Sequence, residues 1–285
     1  MFLGRKRWRR TEVLMKKIAL IMRQIVLPIT LMASVFVPTA VRSEGAAAMH
    51  PSVDEMVKQF GAVVFKSEFK GVKALTGIKK WSEPLRVVIK TYGDSFVENA
   101  DGTKTRQLKQ RRVKRLHFDY IQKHLNALTS LTGIKTEDVK KTQNSANFVI
   151  NFVPQIHMTN PSLAQVDKKL LRRLGGLGGC YFLMWSDERS GLIKKAVIVV
   201  NSDRLMTRIN HCLLEEMTQS LGLPNDTNMP WPSIFSNSGR ITSLSRSDKI
   251  LIKALYDPRM RPAMGVDDAM ILARKIIGEL DRTMP

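Results

Sequence analysis

The chain is poor in the residues that staple or coordinate. Its 285 residues include two cysteines, five histidines and no CxxC pair. That excludes a zinc finger or a cysteine-rich secreted scaffold, both of which need four or more ligand or bridge positions at fixed spacing. Residues 175–179 read Gly-Gly-Leu-Gly-Gly and lead into Cys180 with no Lys-Ser or Lys-Thr behind them. A phosphate loop is therefore ruled out and a hinge is expected. Aromatic residues make up 7% and do not interleave with the basic ones. With no helix-turn-helix pattern either, no specific nucleic-acid partner is expected. The chain has no internal repeat. Acids are also scarce, 25 against 46 Lys and Arg, for a net charge of +21.

The shortage of acids is sharpest at the start. Residues 1–43 carry nine Lys and Arg and one acid, Glu12, around an apolar run at 25–41. A basic stretch followed by an apolar run is the pattern of a secretory signal peptide. Pro28 and Pro38 break the run, which is shorter than the roughly 20 residues a membrane span needs, so cleavage is expected, after Ser43. Ala46 to Ala48 offer a second cleavage position, and an uncleaved anchor in the inner membrane is the alternative. Met15-Lys16-Lys17 would itself begin such a signal. Its removal takes nine of 46 basic and one of 25 acidic residues and leaves +13. The expected organisation is a signal peptide at 1–43, a helical segment at 44–80 and one domain at 81–285, periplasmic or secreted. About 240 residues suffice for one full hydrophobic core. Export to an oxidising compartment permits Cys180 and Cys212 to form a disulfide; the other reading of either cysteine is a metal ligand or a reactive thiol.

Periodicity orders the elements. Residues 53–69 place Met56, Phe60, Val63 and Val64 at helical intervals. Residues 84–90 read as a strand between Pro84 and Gly93, and 112–131 as a helix stopped by Gly133. Residues 147–153 form a second strand before Pro154, and 180–185 with 196–200 form a further pair. Helices follow at 208–221, closed by Gly222, at 245–255 with Ser245 as N-cap, and at 267–277. This order predicts an α+β fold with a mixed sheet.

The chemistry concentrates in Glu215-Glu216-Met217-Thr218-Gln219-Ser220-Leu221-Gly222-Leu223-Pro224-Asn225-Asp226. A helix sets Glu215 and Gln219, four apart, on one face, and a glycine at 222 can turn the chain so that Asn225 swings back toward them. The segment resembles the metzincin zinc-protease signature HExxHxxGxxHD, with Glu215, Gln219 and Asn225 where its three histidines stand and with Glu216, Gly222 and Asp226 in agreement. Pro232 to Asn237 is similar to the tight turn that follows in that superfamily, with Phe235 in place of its methionine. Leu244 to Tyr256 is similar to its closing helix. Together with Lys80-Trp81 and Pro84 to Val87, these stretches most closely resemble an uncharacterised family of exported bacterial proteins, a domain of unknown function marked by EExxQxLGLxND, SIF and LYDP. The resemblance spans about residues 80–264.

What the resemblance implies is a metzincin-like core with degenerate ligands. Catalytic zinc keeps neutral imidazoles so that its charge can lower the pKa of bound water to about 7. A Glu215 carboxylate would offset that charge, and Gln219 and Asn225 offer only amide oxygens, which suit calcium or magnesium better. The expectation is a protein with no cofactor that binds an envelope or extracellular ligand in the residual cleft, its Glu215, Gln219 and Asn225 forming a polar network. One alternative is a peptidase-like hydrolase with a divalent metal on that set and Glu216 as general base. A shifted metal site on His211 with Glu215 and Cys212 with Glu216 is also geometrically allowed. Another alternative is an anion-binding envelope surface protein, from the basic runs Lys104 to Arg115 and Lys168 to Arg173, each of which also reads as a solvated face. His117 and His124, seven apart on one helix, are expected to be packing or surface residues.

Overall fold

A computed structural model describes residues 50–66, 75–139, 145–164, 166, 168–175, 179–237 and 240–285. The signal peptide and its cleavage position lie outside the described residues, as do the middle residues of the glycine run. The fold is α+β, a five-stranded mixed sheet with six helices among the described residues.

The sheet is built from β1 (Val87–Glu98), β2 (Lys104–Arg111), β3 (Phe148–Val153), β4 (Cys180–Ser186) and β5 (Ile193–Asn201). Their spatial order is β2-β1-β3-β5-β4. The three central strands run parallel, with Val87 to Thr91 opposite Phe148 to Phe152 and these in turn opposite Ala196 to Val200. Both edge strands are antiparallel. Alternation places Phe148, Ile150, Phe152, Ile198 and Val200 on one face, and Val149, Val153, Val197 and Val199 on the other. The central strands are therefore apolar on both sides, as parallel strands covered on both faces are.

The helices are α1 (Val53–Phe65), α2 (Arg115–Thr132), α3 (Lys168–Gly175), α4 (Met206–Gln219), α5 (Arg246–Tyr256) and α6 (Val266–Thr283). Leu171 and Leu174 of α3 pack on the second face with Met158 and Tyr181. The larger core, on the first face, gathers the apolar sides of α1, α2, α4, α5 and α6. Ser52 opens α1 with a capping box through Glu55, and Ser245 opens α5 with one through Asp248. Gly133 ends α2 in the left-handed region at φ 72°, as its sequence position predicts. The segment before residue 81 is part of this core, since Met56, Phe60, Val63 and Val64 of α1 are fully buried.

Two elements differ from the periodicity reading. The basic run at 104–111 is a strand, and β1 is longer than 84–90 because beyond Thr91 it pairs with β2 alone. The second basic cluster, Lys168 to Arg173, lies in α3. Among the described residues no helix is long and apolar enough to cross a membrane.

Candidate functional site

Helix α4 carries the motif. Ile209, Leu213, Leu214 and Met217 are buried in the larger core. The same helix carries Cys212, joined to Cys180 at the start of β4 by a disulfide. This is the structural bridge among the readings of the two cysteines, and a disulfide is consistent with an exported protein. Glu215 lies one turn beyond His211, whose Nε2 is 3.4 Å from the Glu215 carboxylate. Nδ1 of His211 is 2.8 Å from the Ile241 carbonyl oxygen, and burial holds the imidazole below its usual range. Glu216 is buried at 6% exposure. The carboxylates of Glu215 and Glu216 and the Cys180 sulfur lie within 4.8 Å of one another.

After α4 the chain turns at Gly222, whose φ is 109°. A side chain there would place its Cβ 2.0 Å from the Lys79 carbonyl oxygen, so the turn needs glycine for both conformation and space. On either side of it Gln219 and Asn225 take separate partners. Gln219 donates its amide to the Asp226 carboxylate. Asn225 donates both its backbone N–H and its side-chain amide to the Val63 carbonyl of α1, each at 3.1 Å. Thr227 donates to the Phe235 carbonyl at 2.6 Å, and Phe235 is fully buried. The turn around Phe235 is thus fastened to the end of the motif.

That turn also caps α5. Asp248, fully buried, accepts from the Ser233 hydroxyl at 2.6 Å, the Ile234 N–H at 3.0 Å and the Ser245 N–H at 2.9 Å. Burial pushes its carboxyl up, while these donors pull the other way. Gln59 of α1 donates to Ser233 at 3.0 Å and ties α1 to the same network. At the other end of α5, the Lys80 ammonium donates to the carbonyls of Leu255, Asp257 and Met260. Burial pushes it down to about 8. A cation on the last carbonyls of a helix also complements the helix dipole. Trp81 donates its indole N–H to the Ser220 carbonyl at 3.0 Å, and the Tyr256 hydroxyl donates to Leu221 at 2.8 Å. Lys80-Trp81, the motif and the Leu-Tyr end of α5 are therefore one bonded unit.

The remaining histidines are dispersed. His117 and His124 are both buried side chains of α2. His124 Nε2 is 2.7 Å from Asn210 Oδ1 on α4, whereas His117 stacks on Phe152 with ring centroids 4.0 Å apart. His157, after β3, bonds Asp94 of β1. The basic run on β2 lies at the sheet edge away from α4. Periodicity missed the Asp248 network, although the Ser-Arg-Ser-Asp capping box at 245–248 was its visible trace.

A family model described as "Protein of unknown function (DUF2927)" matches residues 53–275. The chain belongs to that family. No curated protein and no solved structure matches it.

Proposed function

We propose that this protein is exported and acts as a noncatalytic binding protein on a degenerate metzincin-like plan, holding an extended polypeptide segment along the outer edge of β4. The observation that carries the reading is that edge. Among the described residues β4 pairs only with β5. It reads Cys-Tyr-Phe-Leu-Met-Trp-Ser, partly exposed at every residue except the buried Tyr181. Exposed edge strands are normally blunted by charge, because their free N–H and C=O groups recruit other chains. The opposite edge, β2, is blunted in that way by Lys104, Arg106, Lys109 and Arg111. An apolar edge left open beside the motif helix suits strand addition by a peptide, with main-chain hydrogen bonds supplying affinity.

The donor set supports the noncatalytic half of the reading. Glu215 brings a carboxylate already beside His211, and Gln219 and Asn225 bring amides directed to Asp226 and Val63. One anion and two weak oxygen donors do not fit the zinc that the resemblance implies. The Cys180 sulfur near the two glutamates is held in a disulfide and is no thiolate ligand.

The test is hydrogen exchange at residues 180–186 with and without a reduced, carboxymethylated polypeptide, with the mixture assayed for cleavage in parallel. Protection of β4 without cleavage products is expected, and lack of protection refutes strand addition. Cleavage that vanishes in Glu216→Gln would establish instead the peptidase-like reading, which the convergence of Glu215 and Glu216 favours. Elemental analysis of the protein and of Glu215→Ala and Gln219→Ala would then identify its divalent metal.

A further inference from the structure

The parallel strands end at one edge of the sheet, and that edge is unlike the rest of the surface. The register aligns Thr91, Phe152 and Val200 across β1, β3 and β5. Past this line β1 continues as a two-stranded ribbon with β2, from Tyr92 to Glu98. At about 3.3 Å per residue the ribbon projects roughly 23 Å. The loop after β3 and the loop after β5 leave from the same line. Helix α2 begins there too, since Arg111 lies opposite Thr91 and α2 starts at Arg115.

Exposed apolar side chains collect at this end. Single exposed apolar residues on a surface carry no message, but their clustering does. Of the eight large apolar side chains exposed by more than a third among the described residues, six lie here: Phe96, Val97, Leu116, Phe118, Ile156 and Leu205. Leu205 is 75% exposed, and Phe96 and Ile156 are each 57% exposed. They stand on the ribbon, on two loops and on the first turn of α2, as separate protrusions.

Cations accompany those of the ribbon and α2. Residues 92–119 hold seven Lys and Arg against four acids. Two of those acids are already paired, Asp94 with His157 and Asp119 with Arg115. Lys104, Lys109, Arg112 and Lys114 are exposed and form no ion pair among the described residues. The Arg106 guanidinium lies over the Phe96 ring, 5.3 Å from its centroid, so charge and apolar surface are presented together.

We infer that this end of the sheet docks on an anionic lipid bilayer, the cations meeting headgroup phosphates while the protruding apolar side chains enter the interface. Charge alone would suit any polyanion. The protrusions select lipid, because an aliphatic side chain such as Leu205 or Ile156 gains nothing from a polysaccharide or a phosphodiester backbone and is buried on entering the acyl boundary. The inference stands apart from the strand-addition reading, since it uses neither β4 nor α4.

The test is co-sedimentation of the full chain with phosphatidylglycerol/phosphatidylcholine vesicles and with pure phosphatidylcholine vesicles. A Lys104→Glu/Lys109→Glu/Arg112→Glu variant and an Ile156→Ser/Leu205→Ser variant are run beside it. All replaced side chains are exposed, so neither variant should melt below the parent; Leu205 is the N-cap of α4, where serine adds a capping group. Binding should prefer the anionic vesicles and weaken with salt. The charge variant should lose more than about a hundredfold, at about fivefold for each of three cations removed. The serine variant should lose about tenfold at unchanged salt dependence. Three results overturn the inference: equal binding to neutral vesicles, variants that bind like the parent, or a serine variant with undiminished binding while the charge variant fails. The last would mark a polyanion surface without insertion.

Discussion

The motif end of the molecule and the β1–β2 ribbon treat polar groups in opposite ways. Around α4 and α5 polar side chains are buried and bonded to backbone far away in the chain: Asn225 to Val63, Trp81 to Ser220, Lys80 to Leu255, and Asp248 to the turn at Ile234. At the tip of the ribbon polar side chains point to water and bond within a few residues, as Asp101 does to Thr103 and Asn99 to Thr105, and only at its base does Asp94 reach His157. Long-range bonding makes the first region rigid and intolerant of change. Local bonding leaves the second free to vary, which suits a surface that meets a partner rather than a core that holds a shape.

Two positive-φ glycines, one in each region, test this contrast most strongly. Gly222→Ala places a Cβ into the Lys79 carbonyl, and a destabilisation of about 4 kcal/mol or more is expected. Gly102, at φ 77° in the ribbon turn, has open space around it, so Gly102→Ala should cost only about 1 kcal/mol. Urea midpoints measure both, and equal costs would break the comparison. Reduction of the Cys180–Cys212 bridge, which closes a separation of 32 residues, should remove about 3.5 kcal/mol. Hydrogen exchange should then quicken in α4 and β4 and stay unchanged between residues 92 and 110. Exchange that quickened equally in the ribbon would mean that the two regions open together.

The same contrast explains what could be read from the sequence. Strand β3, the glycine stop of α2 and the Ser245 cap were legible because each depends on residues within one turn or one strand. The turn at Gly222 was legible for the same reason. Strand β2 was not, since Lys104, Thr105, Arg106 and Gln107 are all polar, and an edge ribbon with no buried face shows no alternation. In α3 the leucines were masked by four neighbouring cations. The partners of the motif side chains were least accessible. Asn225 turns to Val63, 162 residues away, and no local pattern encodes that choice.

Asp248 sharpens the comparison at a smaller effect. Asp248→Ala strands the Ile234 and Ser245 N–H groups and the Ser233 hydroxyl in a buried site, and a loss of about 3 kcal/mol is expected. Asp101→Ala removes bonds to Thr103 on the exposed ribbon turn and should cost under about 1 kcal/mol. Thermal melts of the pair give the difference directly. A mild Asp248→Ala would show that the turn around Phe235 holds α5 by packing alone.

His117 is the titratable group among the few described buried side chains that leave a polar atom unbonded, and it makes the last prediction. Its ring is fully buried against Phe152, and neither ring nitrogen has a hydrogen-bond partner among the described residues. Burial, with Lys114 adding repulsion, pushes the imidazole down to about 4 from 6.5. The unfolded chain therefore binds a proton in a window where the folded chain does not. Stability is full above pH 6.5 and falls as the pH drops toward 4, by about 2 kcal/mol at pH 5. His117→Phe keeps the stack on Phe152 and removes the titration. Its urea midpoint should match or slightly exceed that of the parent at pH 8 and exceed it clearly at pH 5. A variant with the parent's pH slope would move the acid sensitivity elsewhere and make His117 a spectator. If the slope flattens, the one described buried histidine with neither ring nitrogen bonded sets the acid limit of this fold.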